Sequence, residues 1–311
     1  MITSGNATIH VANMNAAIEF YTRVFGMELT HRLGSSWALL RGGASYWCDD
    51  TGAGLVVGLR GPSEGAPDPG ANGSVMFGLE TYRPIEEVAA VMRREGVRLS
   101  DEIIRSDIGN FVSIEDMDGN GIYLWEIVPE KLDPEGKDSR DTTMPEGRAF
   151  RGGHVNIYVS DMNRAVTFYN EVLGLRLTNR FDNHWATLEA GHDLVIGLHP
   201  ASPRYPSPGT PGAIMLALTV NESLQKVVSR LARRGVRVNG APRTTPLAHV
   251  VTLDDPDGNR IEFQEVIAQS REASHTSDMS RPFDGAQGRP ESVEGRAPLP
   301  EPRVPVISKK N

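Results

Sequence analysis

Gly153-His154-Val155-Asn156-Ile157-Tyr158-Val159-Ser160-Asp161-Met162-Asn163 runs directly into Arg164-Ala165-Val166-Thr167-Phe168-Tyr169-Asn170-Glu171-Val172-Leu173-Gly174. In the first part Val155, Ile157 and Val159 alternate with His154, Asn156 and Tyr158, the period of a strand. Asp161 stands where an N-cap belongs. Ala165, Val166, Phe168, Tyr169, Val172 and Leu173 then recur at helical spacing, and Gly174 follows as a C-cap signal. A strand carrying one histidine therefore feeds a short amphipathic helix.

The rest of the chain is built from copies of that unit. Residues 6–11 read as a strand, Asn13 caps, and Ala17, Ile18, Phe20, Tyr21, Val24 and Phe25 make a helical stripe ending at Gly26. An offset of 148 lays Phe20-Tyr21 on Phe168-Tyr169 and Trp37-Ala38 on Trp185-Ala186. From Leu55 onward the offset is 139, which lays Gly58 on Gly197, Met76 on Met215, and Asp118-Gly119-Asn120 on Asp257-Gly258-Asn259. The change from 148 to 139 marks a nine-residue insertion in the first copy, within 44–54. A repeat held through caps, glycines and apolar positions implies tandem domains. Within each copy the order strand, helix, strands occurs twice, so four βαβββ modules are expected, over 5–60, 73–129, 152–200 and 212–267. The domains are then 1–129 and 151–268, joined by a charged, proline-containing linker over 130–150. Residues 269–311 mix Pro, Gly, Ser and both charge signs without apolar periodicity, the composition of a disordered tail.

Composition narrows the function. A formal net charge of −8 leaves no basic footprint for nucleic acid or an anionic membrane. No apolar run reaches the ~20 residues of a membrane span and the N-terminus lacks a signal pattern, so the cytoplasm is the expected compartment. The single cysteine, Cys48, excludes an internal disulfide and speaks against a thiolate metal site.

Paired βαβββ modules, a Phe-Tyr in the first helix before Val-Phe-Gly or Val-Leu-Gly, and the turn Asp255-Pro256-Asp257-Gly258-Asn259 leading into Arg260-Ile261-Glu262-Phe263 resemble the vicinal oxygen chelate superfamily. That group includes glyoxalase I, extradiol dioxygenases, and bleomycin- and fosfomycin-resistance proteins. The resemblance covers about residues 5–267 and implies an α+β fold of tandem glyoxalase-like domains. Each domain would hold two βαβββ modules forming a cupped mixed sheet with helices outside.

In the family, ligands to a divalent metal project into the cup from the first strand of a module and from the strand after the Asp-Pro-Asp-Gly hairpin. The resemblance places His154 and Glu262 there in the second domain, a donor set suited to Fe(II) or Mn(II), with Zn(II) as a further option. Gly197 falls where glyoxalase I has a carboxylate, and His199, two residues on along the same strand face, is the candidate third ligand. Met215 falls where extradiol enzymes have a second histidine. His192 matches their acid–base histidine and Thr252 their substrate-binding tyrosine. Asn156, Tyr158 and Gln264 share faces with the ligands and are expected to contact substrate. Asn6 and Tyr123 occupy the ligand positions of the first domain, which is expected to be metal-free. For Glu262 the alternative is pairing with an arginine, Arg260 or Arg151.

The resemblance favours an extradiol-type dioxygenase acting on a small substrate with vicinal oxygens. A metal-free small-molecule binding or drug-resistance protein is the alternative, with glyoxalase-type isomerase or lyase chemistry also open. A small-molecule partner is expected, and homodimer formation is open, as family members often dimerise.

Overall fold

Alternation along the first strand of each module sorts side chains into two layers. In the computed structural model, which describes residues 2–48, 51–100, 102–106, 108–132, 143–144 and 148–267, Ala7 and Ile9 face a common apolar core, as do Val155 and Ile157. Their neighbours Asn6, Thr8 and His10, and His154, Asn156 and Tyr158, take the opposite face, also buried. Module 1 comprises β1 (Ile2–His10), α1 (Met14–Arg23), β2 (Glu28–Leu33), β3 (Trp37–Ala44) and β4 (Gly54–Arg60). Module 2 comprises β5 (Val75–Thr81), α2 (Ile85–Arg94), the short β6 (Arg98–Leu99) and β7 (Ile104–Ser106), β8 (Gly109–Glu115) and β9 (Gly121–Glu126), followed by one turn of helix, α3 (Pro129–Leu132). Module 3 comprises β10 (Gly152–Val159), α4 (Met162–Val166, continued by π-helical turns over Thr167–Val172), β11 (Arg176–Phe181), β12 (Trp185–Ala190) and β13 (Leu194–Pro200). Module 4 comprises β14 (Ile214–Val220), α5 (Leu224–Arg233), β15 (Val238–Thr244), β16 (Ala248–Asp254) and β17 (Arg260–Val266).

The helix starts follow the sequence signals. The Asn13 side chain accepts from the Ala16 amide at 3.1 Å, and Asp161 accepts from the Arg164 amide at 2.9 Å. Among the described residues no helix is long and apolar enough to cross a membrane. The tail expected over 269–311 and most of the linker expected over 130–150 lie outside the described residues. Phe150, at the end of that linker, is buried with its ring edge-on to Phe25, centroids 5.7 Å apart.

The modules pair in an order the repeat does not announce. β1 lies antiparallel to β14, with Thr8 opposite Met215, and β10 lies antiparallel to β5, with Asn156 opposite Met76. These two registers coincide under the repeat offsets. One sheet therefore runs β2-β3-β4-β1-β14-β17-β16-β15, joining modules 1 and 4. The other runs β11-β12-β13-β10-β5-β9-β8, with β6 and β7 on β8, joining modules 3 and 2. We call the concave faces cup A (modules 1 and 4) and cup B (modules 2 and 3). A single parallel step, Leu194 opposite Gly54, links the two sheets.

Within each domain a different device ties the modules. The Tyr21 hydroxyl donates to Asp116 at 2.7 Å, and the Tyr169 hydroxyl donates to Asp255 at 2.8 Å. Each aspartate opens a Gly-Asn hairpin and also accepts from that hairpin's backbone amides and asparagine side chain. The Phe-Tyr motif and the hairpin motif are thus two ends of one buried contact. Burial, then the facing aspartate, pushes both tyrosine hydroxyls well above their ordinary pKa. Tyr169→Phe keeps the ring and removes the donor. It is expected to cost about 2 kcal/mol, the scale of a hydrogen bond to a charged group, read as a lower urea midpoint at unchanged slope.

Candidate functional site

The two cups hold unlike contents. In cup A, Glu262 rises from β17 with its side chain almost fully buried. Arg60, at the end of β4, grips it with both arms, Nη2 to Oε1 at 2.6 Å and Nη1 to Oε2 at 3.2 Å. Gln264 donates to Oε1 at 2.8 Å, and an Arg243 nitrogen lies 3.9 Å from Oε2. Burial pushes the Glu262 carboxyl up, but the hydrogen bonds and charge of Arg60, helped by Gln264 and Arg243, outweigh it and hold the group below the usual glutamate range. His10 stands at the end of β1, 5% exposed, with its Nδ1 buried and unpartnered among the described residues. Burial first, then the Arg60 charge, lowers its pKa to about 4, with Glu262 opposing. The imidazole is therefore neutral at pH 7. Around these groups opens a cavity of about 440 Å³, with Ile214, Met215, Val75 and Thr252 also in its wall.

In cup B, His154 on β10 is 1% exposed and used at both ring nitrogens. Nδ1 lies 2.5 Å from Glu80 Oε1, and Nε2 lies 2.6 Å from the Tyr123 hydroxyl. In the Nδ1–H tautomer, which matches Glu80 as acceptor, Nε2 accepts from the Tyr123 hydroxyl. Asn156 donates to the Tyr123 oxygen in turn. The remaining space is filled with rings. Trp47 stacks on Trp125 at 5.4 Å and 11°, and lies 5.6 Å from Trp185, which meets His154 edge-on at 5.4 Å. Trp47 belongs to the insertion noted in the sequence. Ser45 Oγ donates to Glu80 Oε1 at 2.6 Å and the Tyr46 amide donates to Oε2 at 2.5 Å, so the insertion reaches across and is pinned inside the cup.

The expected metal centre does not assemble. His154 and Glu262 stand in different cups, because the first strands pair module 3 with module 2 and module 4 with module 1. His199 shares cup B with His154, but its Nδ1 lies 3.0 Å from the Pro200 carbonyl and its ring packs on Tyr158 and Trp185. Burial lowers its pKa. His192 is exposed in the tight turn between β12 and β13, in neither cup. Asn156 and Tyr158 line cup B, whereas Thr252 and Gln264 belong to cup A. Among the described residues no group of three or more His, Cys, Asp or Glu side chains is placed to hold a metal ion. The residues present do not fit the family's divalent metal. Of the three expected ligands, Glu262 is held by Arg60 and Gln264, His154 by Glu80 and Tyr123, and His199 lies against the Pro200 carbonyl.

The arginine alternative for Glu262 holds, with Arg60 in place of Arg260 or Arg151. Arg260 instead pairs with Asp254. The repeat offsets contained the missing partners: the offset that maps Gly58 on Gly197 maps Arg60 on His199, and the earlier offset maps His10 on Tyr158. Glu80 had no such signal, since its equivalent is Thr219.

Because His10 binds a proton less readily folded than unfolded, its contribution is intact above pH ~6.5 and is lost as pH falls toward the folded pKa of about 4. Between pH 7 and pH 5 the unfolding free energy is expected to fall by about 2 kcal/mol from this group. His10→Asn should flatten that interval of a urea-denaturation pH series, and an unchanged slope would refute the assignment.

The sequence model of the Glyoxalase/Bleomycin resistance protein/Dioxygenase superfamily matches residues 4–124 and 151–263. Virulence protein STM3117 of Salmonella typhimurium is 28% identical over 121 residues, 37% of this chain and 83% of that protein. Among solved structures, glyoxalase I from Zea mays superposes with a TM-score of 0.59 at 18% identity, covering 89% of this chain and 97% of that one. A Bacillus subtilis protein provisionally assigned as a dioxygenase gives 0.54 at 14% identity, with 85% of each chain covered. At such identities the two structures speak for the fold alone, and the match over both repeats speaks for the family. The chain belongs to the glyoxalase, bleomycin-resistance and dioxygenase superfamily.

Proposed function

We propose that this chain is a metal-independent small-molecule binding protein whose ligand site is cup A. One observation carries the reading: the carboxylate at the family's ligand position, Glu262, is bound through both oxygens by Arg60 and is further held by Gln264. A metal at that carboxylate would have to displace a buried, hydrogen-bonded guanidinium, and the neighbouring family positions, Asn6, Gly58 and Met215, offer no strong donors in exchange. The cavity volume suits a small organic molecule. Its wall combines apolar surface from Val75, Ile214 and Met215 with the neutral His10 and the guanidinium groups of Arg60 and Arg243. That lining favours a compact, partly apolar ligand carrying oxygen acceptors. The extradiol reading would need His154 and Glu262 on one metal, and their separation into two cups removes its support.

The test is thermal stabilisation by a panel of small phenols and aromatic carboxylates, with and without EDTA. Binding to the native state alone stabilises by RT ln(1 + L/Kd), where L is the ligand concentration, so Tm rises with the logarithm of that concentration above Kd. We expect a shift that EDTA leaves unchanged and that Arg243→Ala reduces. Arg243 is exposed, so this change spares the buried pair. Catechol with Fe(II) in air should give no ring-cleaved product above a protein-free control. Ring cleavage, or a shift abolished by EDTA, overturns the proposal.

A further inference from the structure

Cup B lies outside the function proposed for cup A, and its contents do not match each other as an ordinary core would. Trp47 Nε1, Trp185 Nε1 and Asn156 Oδ1 are all buried there and, among the described residues, have no hydrogen-bond partner. Buried polar atoms are normally satisfied, so two donors and an acceptor left over in one cup require an explanation. The slot that Trp47 fills is shaped for a flat ring: Phe111, Trp125 and Trp47 form a column, with interplanar angles of 7° and 11° between successive rings. Trp185 closes the third side at a 41° tilt. Gly197 makes room for this wall, because a Cβ there would come within 2.3 Å of the Trp185 ring and 2.7 Å of Asn156 Oδ1.

The ring in the slot is brought by a local segment, not by the sheets. Ser45 to Cys48 form a strap between β3 and β4, at the place where the sister hairpin of module 3 makes its tight turn over 191–193. Polar contacts tie the strap to Glu80 through Ser45 Oγ and the Tyr46 amide, to Ala53 through the Ser45 amide, and to Asn179, which donates to the Trp47 carbonyl at 3.5 Å, with the Trp47 amide turning back on Ser45 Oγ at 3.1 Å. Glu80 would keep His154 as a partner if the strap withdrew. The wall of the cup belongs to the ladders of β10, β5, β9 and β13, which do not depend on the strap.

We propose that cup B is a second ligand site for a planar aromatic ring bearing a hydrogen-bond donor, for the Asn156 oxygen, and an acceptor, for the Trp185 N–H, which the chain occupies with its own Trp47 and which opens when the strap over 45–48 withdraws. Trp47 supplies the flat apolar surface. It leaves the Trp185 N–H and the Asn156 oxygen unanswered, which an incoming heteroaromatic ligand would answer.

Two measurements on the full chain test this. In native-state hydrogen exchange, the Tyr46 and Trp47 amides should exchange at least ten-fold faster than amides of the β10–β5 ladder, because strap opening is local. Exchange of both sets at one common rate would mean that the cup opens only with global unfolding and would overturn the proposal. In the second, Trp47→Gly vacates the slot and indole is the probe. The variant should melt about 5–15 °C lower, and millimolar indole should restore part of that loss while moving the unmutated chain much less. Indole bound in cup A would raise both proteins alike, so only the difference reports on cup B. A folded variant that indole does not stabilise beyond the unmutated chain would refute the site.

Discussion

The antiparallel pairing of first strands across the two domains, β1 with β14 and β10 with β5, is the constraint from which the rest follows. A first strand must satisfy its backbone on both edges. One edge is taken by the last strand of its own module, β4 for β1 and β13 for β10. The other edge is covered by another module's first strand, β14 for β1 and β5 for β10. Here the partner comes from the opposite domain, so each cup has one wall from each half of the chain. The Tyr21–Asp116 and Tyr169–Asp255 contacts, by contrast, tie modules within a half. The result is a closed ring of four modules, with sheet pairing and side-chain clamps alternating around it. Neither half contains a complete cup.

Buried charge follows the same seams. Glu262 of module 4 is neutralised by Arg60 of module 1, and His154 of module 3 is held by Glu80 of module 2. An isolated ionised side chain at either position would carry a desolvation cost of several kcal/mol. In this chain each is answered from across the strand seam, so the polar chemistry of a cup depends on the register that joins its halves. The family's metal position has become, in one cup, an arginine–carboxylate pair. In the other it has become a hydrogen-bonded chain of Glu80, His154, Tyr123 and Asn156.

Much of this was legible in the residues. Alternation, caps and the Asp-x-Asp-Gly-Asn turns identified the four modules, and strand parity put His154, Asn156, Glu262 and Gln264 on inward faces, where the structure has them. What failed was adjacency. A repeat offset states which residues are equivalent and is silent on which modules touch, because the pairing of β10 with β5 is decided by backbone hydrogen bonds that no local pattern encodes. His154 and Glu262 were grouped because they share a domain in sequence, yet the seam lies between domains. The insertion over 44–54 was visible as a length difference, but its meaning rests on the aromatic pair Tyr46-Trp47, which is unusual in a surface hairpin. Glu80, inside an apolar strand, was a quieter sign of the same event, since it is the carboxylate on which the strap closes.

The divergence of the two cups can then be traced to one hairpin. By the repeat, β3–β4 in module 1 and β12–β13 in module 3 are equivalent, and their connections lie at the same point of each half. The turn over 191–193 is short, and Gly191 packs its backbone against Thr3 at the start of β1. Three residues in that position give no side chain the reach to enter cup A, which keeps its cavity. The longer connection after β3 carries Trp47 past the start of β10 and into cup B. With that ring in place cup B is lined by further rings, and Tyr123 and Trp125 stand where cup A has Glu262 and Gln264. The longer loop on one side of a pseudo-symmetric molecule thus fills one cup with an aromatic strap and leaves the other with its cavity.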